Sequence, residues 1–413
     1  MKIILVHNNY QYPGGEDKVF DLERALLQDH GHRVVVYQRS NHELASQSLL
    51  QRLMIPIHTI WARDSFRQME AVLRKERPDI VHVHNTFVRI SPSILAACRQ
   101  AGVPVVKTLH NFRLMCPSAT FFRNGKICEE CLQSNLLRSV RYGCYRQSRS
   151  ATASIALALA LHRRARTWID GVTSFIALSR FSRNKFIQGG LPPGKIAHKP
   201  NFVHPDPGKK RESGYAAVYV GRLSAEKGLE TLLRAWRLLP SQVRLQIFGD
   251  GPLRAPLERL ASSLNLRNLT FHGRVTNNLA QEAIKGARLL ICPSENYENF
   301  PLTIVEALSC GTPVVCSRLG AMQEIVLDGQ TGLHFSPGAA EDLADKVVSV
   351  WDRPERIKEM GSAARQDYEQ KYTAEKNYVQ LMQIYHEAIS LTRDSAATSE
   401  QQLQPALVPS MPR

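Results

Sequence analysis

The chain has 413 residues, 43% of them apolar and 22% charged, and a net charge of +16. That length exceeds what one ordinary core fills, so two domains are expected, and the composition is that of a soluble globular protein. The longest apolar stretch starts at Ile155 and is broken by His162, well short of the roughly 20 residues of a membrane span. The N-terminal MKIILVHNN reads as a first strand, because its apolar run is too short for a signal-peptide core. A cytoplasmic protein, at most peripheral on the inner membrane face, is the expectation.

In chain order, KIILVHN is expected as a strand, GGEDKVFDLERALLQDHG as a glycine loop and helix, and HRVVVYQ as a second strand. FRQMEAVLRKERPD is helical, IVHVHN a strand, ISPSILAACRQAG helical and VPVVKTLHN a strand. TSFIALSRFSRNKFIQGG adds a strand and a helix. Apolar strands separated by amphipathic helices signal a parallel sheet covered on both faces. Residues 191–214 are rich in Pro, Gly and charge and read as an interdomain connection. The alternation then restarts with AAVYVGR, VRLQIFGDG, LTFHGRV and ARLLICPS as strands. The expected architecture is α/β, with two doubly wound Rossmann-like domains facing a cleft. They span 1–200 and 201–371, and a helix at 372–391 and a disordered polar tail at 392–413 follow. Ligands of such sheets lie beyond the carboxyl ends of the strands.

The positive charge is uneven. Residues 1–200 carry 29 Lys and Arg against 13 Asp and Glu, whereas 201–413 carry 24 of each. From Arg138 to Lys185 the only acid is Asp170. Such a patch suits phosphates or an anionic membrane surface, or is simply a solvated face. No recognition motif accompanies it, which argues against nucleic acid as a partner.

The chemistry concentrates in 294-SENYENFPLTIVEALSCGTPVV-315. A strand ends before it, and Pro301 suits the first position of a helix. The amides of Leu302 and Thr303 then leave the helix N-terminus free for a phosphate. Glu306, one turn inside, can accept the two hydroxyls of a ribose, and Glu298 can reach a second polyol. Two carboxylates beside a phosphate require cations. In 220-VGRLSAEKGLE-230, the strand end Gly221-Arg222 and the helix opening at Lys227 supply them. Read alone, that segment also fits a surface loop in which the basic groups pair with Glu226 and Glu230.

Together these segments resemble the retaining nucleotide-sugar glycosyltransferases of family 4, which have the GT-B fold. FGDGP at 248–252, ALSCGTPVV at 307–315 and GQTGLHF at 329–335 add to the likeness. The first domain contributes a glycine loop at 13–16 and His110 at a strand end. The resemblance implies that Glu306 holds the ribose, that Arg222 and Lys227 hold the diphosphate, and that Glu298 holds hydroxyls of the transferred sugar. Gly14 and Gly15 would lie under the sugar diphosphate, and His110 would contact the donor sugar. Transfer would proceed with retention and without a required metal. Many relatives have glycine where Pro301 stands, so the phosphate would rely on Leu302 and Thr303. The basic first half suits an acceptor glycan or a lipid-linked acceptor, as in surface polysaccharide or lipopolysaccharide assembly. A nucleotide-sugar epimerase on the same fold and a non-catalytic nucleotide- or sugar-binding subunit are the alternatives.

Three features stand outside this reading. His82 and His84 alternate on one strand and are expected at most to line the cleft. Cys116, Cys128, Cys131 and Cys144 frame a Cys-x-x-Cys core that fits a structural zinc site stapling an insertion without a core of its own, or a set of reduced thiols. The helix within 151–170 carries an apolar stretch beside Arg163, Arg164 and Arg166, and fits either a membrane surface or the core.

Overall fold

The structure is a computed structural model that describes residues 1–10, 14–44, 54–133, 135–210 and 214–403. Two six-stranded, all-parallel sheets organise it. The first has the order β2-β1-β3-β4-β7-β8: Arg33–Ser40, Lys2–Asn9, Ile80–Val83, Val105–Leu109, Ser174–Ala177 and Ile196–His198. The second has the order β11-β10-β9-β12-β13-β14: Leu269–Gly273, Arg244–Phe248, Ala216–Val220, Leu289–Cys292, Val314–Ser317 and Gly332–Phe335. In both sheets the interior strands are buried along most of their length, as expected of strands covered on both faces.

The second sheet has the doubly wound order in which strand succession reverses between β9 and β12. A crevice opens where succession reverses, because the flanking connections run to opposite faces. The ends of β9 and β12 carry the Gly221–Lys227 loop and the 294–300 loop. The fold therefore places the two most informative segments side by side. Gly228 fixes that approach: its φ is +67°, and a Cβ there would sit 1.9 Å from the Pro293 carbonyl oxygen. Only glycine fits both demands.

Several expectations are corrected. Ile196–His198 lies inside the stretch read as a connection, yet it pairs with β7 as the sixth strand. The C-terminal helix is longer than 372–391, running Ala374–Leu403, so 392–403 is helical; residues 404–413 lie outside the described residues. This helix returns to the first domain. Leu381, Met382, Ile384, Tyr385 and Ala388 pack with Ile3, Leu5, Phe20, Val106 and Ile176 in one core cluster. At roughly 1.5–3 kcal/mol for each large apolar side chain, this contact ties the chain's end to its start.

The basic insertion is not coreless. Phe112, Met115, Phe121, Leu136 and Ile155 are buried in the first domain's main cluster. The helix Arg149–Arg164 turns Ile155, Ala156 and Leu159 inward. Its apolar face is therefore mostly core, while Leu157 and Leu161 are exposed. Arg163 is taken up by the carbonyls of Leu114 and Met115, each at 3.1 Å. No helix among the described residues is long and apolar enough to cross a membrane.

Candidate functional site

The helix Leu302–Cys310 follows the 294–300 loop. Pro301 is its cap and not its first residue; the helix starts one position later than expected. Among the described residues the amides of Leu302 and Thr303 have no backbone acceptor, while Ile304 N donates to Pro301 O at 3.0 Å. Two donors thus face the cleft at a helix N-terminus, which favours an anion.

Lys227 pairs outside its own segment. Its Nζ lies 2.6 Å from Glu298 Oε1, which also accepts from Ser294 Oγ at 2.8 Å. Glu226 accepts instead from Ser224 Oγ at 2.7 Å, and Glu230 pairs with Arg234. Burial would lower the Lys227 pKa, but the Glu298 carboxylate outweighs it and the ammonium is held above its usual value. The Glu295 amide, donating to Glu226 O at 2.9 Å, ties the two loops together. Arg222 is exposed at the end of β9, with no ion-pair partner among the described residues. Gly221 precedes it, and a Cβ there would press on the Tyr219 hydroxyl at 2.7 Å.

Glu306 is buried, and its Oε1 is bonded to Lys18 Nζ. Lys18 belongs to the first helix, Gly15–Asp29, on the opposite side of the cleft. Each of the two carboxylates therefore has an ammonium against it, Lys227 on Glu298 and Lys18 on Glu306. This answers the repulsion problem posed by the sequence, and half of the answer comes from the other domain. Lys18 carries no motif, and only the tertiary contact reveals it.

On the first-domain side, Gly14 and Gly15 begin the helix beyond β1, and a Cβ at either would meet nothing within 4 Å. The chain's own packing does not demand glycine there; the space above is open. Gly14 N donates to Asp17 Oδ2 at 2.8 Å, and Asp17 Oδ1 contacts His7 Nε2 at 2.9 Å. Glu16 faces Asn111 Nδ2 at 3.2 Å, and burial raises its carboxyl to about 7. Burial brings the nearby Lys107 down to about 8. Neither was legible from the sequence.

His110 follows β4 directly. The Asn299 side chain donates to Leu109 O, and Ser179 Oγ donates to Asn299 O at 3.2 Å. These bonds bring the loop carrying Glu298 to the strand end carrying His110. His82 and His84 do not line the cleft. Both are buried, His84 reaching His110 Nε2 through its Nδ1 at 3.0 Å.

The four cysteines come from separate places: the turn after Phe112–Leu114, the end of the hairpin Phe122–Arg123/Lys126–Ile127, the short helix Glu130–Gln133, and the turn after Leu137–Tyr142. All are free thiols. They are close enough to act on one another's charge, and burial together with Cys116, Cys144 and Cys128 raises Cys131 to about 12. Arg163 stands beside Cys131 and Cys116, and Arg123 beside Cys128 and Cys144. Two guanidiniums stand beside the set, but burial outweighs them and keeps Cys131 and Cys144 in the thiol form. No three of the sulfurs lie within 4.8 Å of one another: among the described residues only Glu23, His82 and His84 place three such ligand atoms that close.

The family model described as Glycosyltransferase Family 4 matches residues 14–207, and that described as glycosyl transferases group 1 matches residues 203–367. The sulfoquinovosyl transferase SQD2 of Arabidopsis thaliana is 28% identical over 304 residues, covering 71% of this chain and 54% of that protein. This chain spans about half the length of the first curated relatives it matches. Among solved structures, Anabaena HepE in complex with UDP and glucose superposes with a TM-score of 0.66 at 19% identity, covering 93% of this chain and 98% of HepE. The sucrose-phosphate synthase of Thermosynechococcus elongatus gives a TM-score of 0.69 at 18% identity, covering 94% and 99%.

Proposed function

Because the chain belongs to the family 4 glycosyltransferases of GT-B fold, we propose that it moves a sugar from a nucleoside-diphosphate sugar to a glycan or lipid-linked acceptor, with retention. The observation that carries this reading is the cluster at the second sheet's switch point. There the Lys227–Glu298 pair at 2.6 Å adjoins the open amides of Leu302 and Thr303. The complex of HepE with UDP and glucose supports a nucleotide-sugar donor.

In this reading the diphosphate lies on the helix N-terminus, beside Arg222 and Lys227. Charge develops on it as the glycosidic bond breaks, and cations already in position stabilise that charge without reorganising. Glu306 accepts the ribose hydroxyls and in doing so exchanges its bond to Lys18. Lys18, released, stays at the edge of the phosphate site. Glu298 orients the sugar. The acceptor hydroxyl gives its proton to the leaving phosphate oxygen, so no strong base and no catalytic metal are needed. The acceptor lies against the first domain, and its positive excess suits a lipid diphosphate at a membrane face, as in surface polysaccharide or lipopolysaccharide assembly. The four cysteines, flanked by Arg123 and Arg163, would hold a structural zinc remote from the reaction.

A thermal-shift screen of UDP-, GDP- and ADP-sugars, followed by donor hydrolysis assays, tests the proposal. A true donor at a hundred times its dissociation constant adds about 2.7 kcal/mol of stability. Neither stabilisation nor hydrolysis with any of them would defeat it.

A further inference from the structure

A buried polar chain runs from the C-terminal helix to His110, and the transfer reaction as described does not use it. Glu23 sits on the inward face of the Gly15–Asp29 helix, completely buried. Its Oε1 lies 2.6 Å from Lys199 Nζ, which also donates to Asn377 Oδ1 at 3.0 Å. Its Oε2 lies 3.3 Å from His84 Nε2. The two atoms form no regular hydrogen bond, with each other or elsewhere among the described residues, and Oε2 also stands 3.6 Å from His82 Nδ1. His84 Nδ1 then meets His110 Nε2 at 3.0 Å.

The Glu23, His82 and His84 atoms are grouped closely enough to suggest a cation. Two contacts argue otherwise. Lys199 already supplies the positive charge, and both ring nitrogens of His82 are engaged, by Tyr385 and Thr108, each at 2.7 Å.

We infer that Glu23 is a positioning residue for His110: acting through His84, it fixes which ring nitrogen of His110 carries the proton. The argument needs only donor and acceptor chemistry. A bare Nε2 would set its lone pair against the ionised Glu23 carboxylate at 3.3 Å, so the favoured place for the His84 hydrogen is Nε2. A neutral His84 then has its lone pair on Nδ1. The 3.0 Å contact needs one N–H and one lone pair, so His110 Nε2 donates. His110 is left with a bare Nδ1. That atom has no hydrogen-bond partner among the described residues, and it is not one of the enclosed, unpartnered atoms. It therefore opens toward the cleft as an acceptor for a hydroxyl. The protonation states agree. Burial lowers the His84 and His110 pKa values, keeping both rings neutral. Burial would raise the Glu23 carboxyl, but Lys199 and His84 outweigh it and hold it well below the usual value.

The tautomer assignment rests on these contacts together with an ionised Glu23 and neutral rings, while its consequence for transfer rests on placing His110 against the donor sugar. The test uses the full chain labelled with 15N-histidine. Long-range proton–nitrogen correlation reads each ring nitrogen, and His110→Asn identifies the His110 signals. Wild type should show His110 protonated on Nε2 alone. Glu23→Leu alone would bury Lys199 unpaired, so the comparison is Glu23→Leu with Lys199→Met, which removes both members of the pair. The double variant should lose the single tautomer, keep its UDP affinity, and hydrolyse UDP-glucose about tenfold more slowly or worse. Protonation on Nδ1 in wild type, or an unchanged tautomer in the double variant, would overturn the relay. A changed tautomer with unchanged hydrolysis would uphold the relay and remove His110 from the donor sugar.

Discussion

At the scale of single residues, the site is an arrangement of compensated charges. In the proposed site Glu306 and Glu298 would share a cleft with a diphosphate, and the ammoniums of Lys18 and Lys227 against them would offset the repulsion. The two ammoniums have different origins, and this predicts different behaviour. Lys227 is fixed within its own domain, so Lys227→Ala should lower turnover roughly hundredfold. Arg222→Ala should do the same, because its exposed guanidinium is free to meet the leaving diphosphate. Rates within twofold of wild type would remove either from the site. Glu306→Ala should weaken nucleotide binding by about 1.5–3 kcal/mol, as expected for a hydrogen bond to a charged group. Calorimetry reads this directly, and a cooperative thermal transition in the variant would show that the fold is kept. Unchanged affinity would end its ribose role.

At the scale of elements, the Leu302–Cys310 helix and the β9 and β12 ends were readable in the sequence because they are local. A strand-long apolar run, a proline cap and a Lys-Gly pair each act within a few residues. The short strand Ile196–His198 was not readable, because prolines and charge surround it and only pairing with β7 makes it a strand. The cysteine insertion was read as coreless, since no periodic pattern marks it; its apolar residues are buried by the rest of the domain. Metal is therefore not needed to bury that segment, and the proposed zinc would have to draw the four sulfurs together and deprotonate them. Protein purified without added zinc should hold close to one zinc per chain, and Cys128→Ser with Cys131→Ser should lose it. Metal analysis showing none in wild type would leave these residues as buried reduced thiols. Closing the sulfurs on zinc requires Zn–S distances of about 2.3 Å, so binding should also tighten this insertion against the Arg180–Gln188 helix, where Lys185 meets Glu129 at 2.8 Å.

At the scale of the whole molecule, the charge asymmetry gains a location. Leu157 and Leu161 are exposed on the Arg149–Arg164 helix, and Ile57 and Trp61 are exposed on the helix Ile55–Ile60 and just after it, which packs beside it. Arg164 and Arg166 flank them. The apolar face as a whole cannot enter a bilayer, because most of it is core; these few side chains and the arginines are what remain. Each basic group near an anionic surface contributes about 1 kcal/mol. The protein should pellet with vesicles containing anionic lipid, stay in solution with neutral ones, and be released by high salt. Equal binding to both, or to neither, would point to an anionic soluble acceptor instead.

The sequence by itself determined the two parallel-sheet domains and the strand-loop-helix segments after β9 and β12, because periodicity, helix starts and turn residues act over a few positions. It also showed which half holds the positive charge. Only the tertiary structure decided what those segments meet. Lys18 and Glu306 lie 288 residues apart in the chain. Glu23 and Lys199 are 176 apart, and His82 and Tyr385 are 303 apart. Lys18, Glu23 and Tyr385 look ordinary in their own neighbourhoods: a lysine and a glutamate on an amphipathic helix, a tyrosine on a terminal one. A buried charge has meaning only through the group that compensates it, and that partner is chosen by how the sheets and the returning C-terminal helix pack in space.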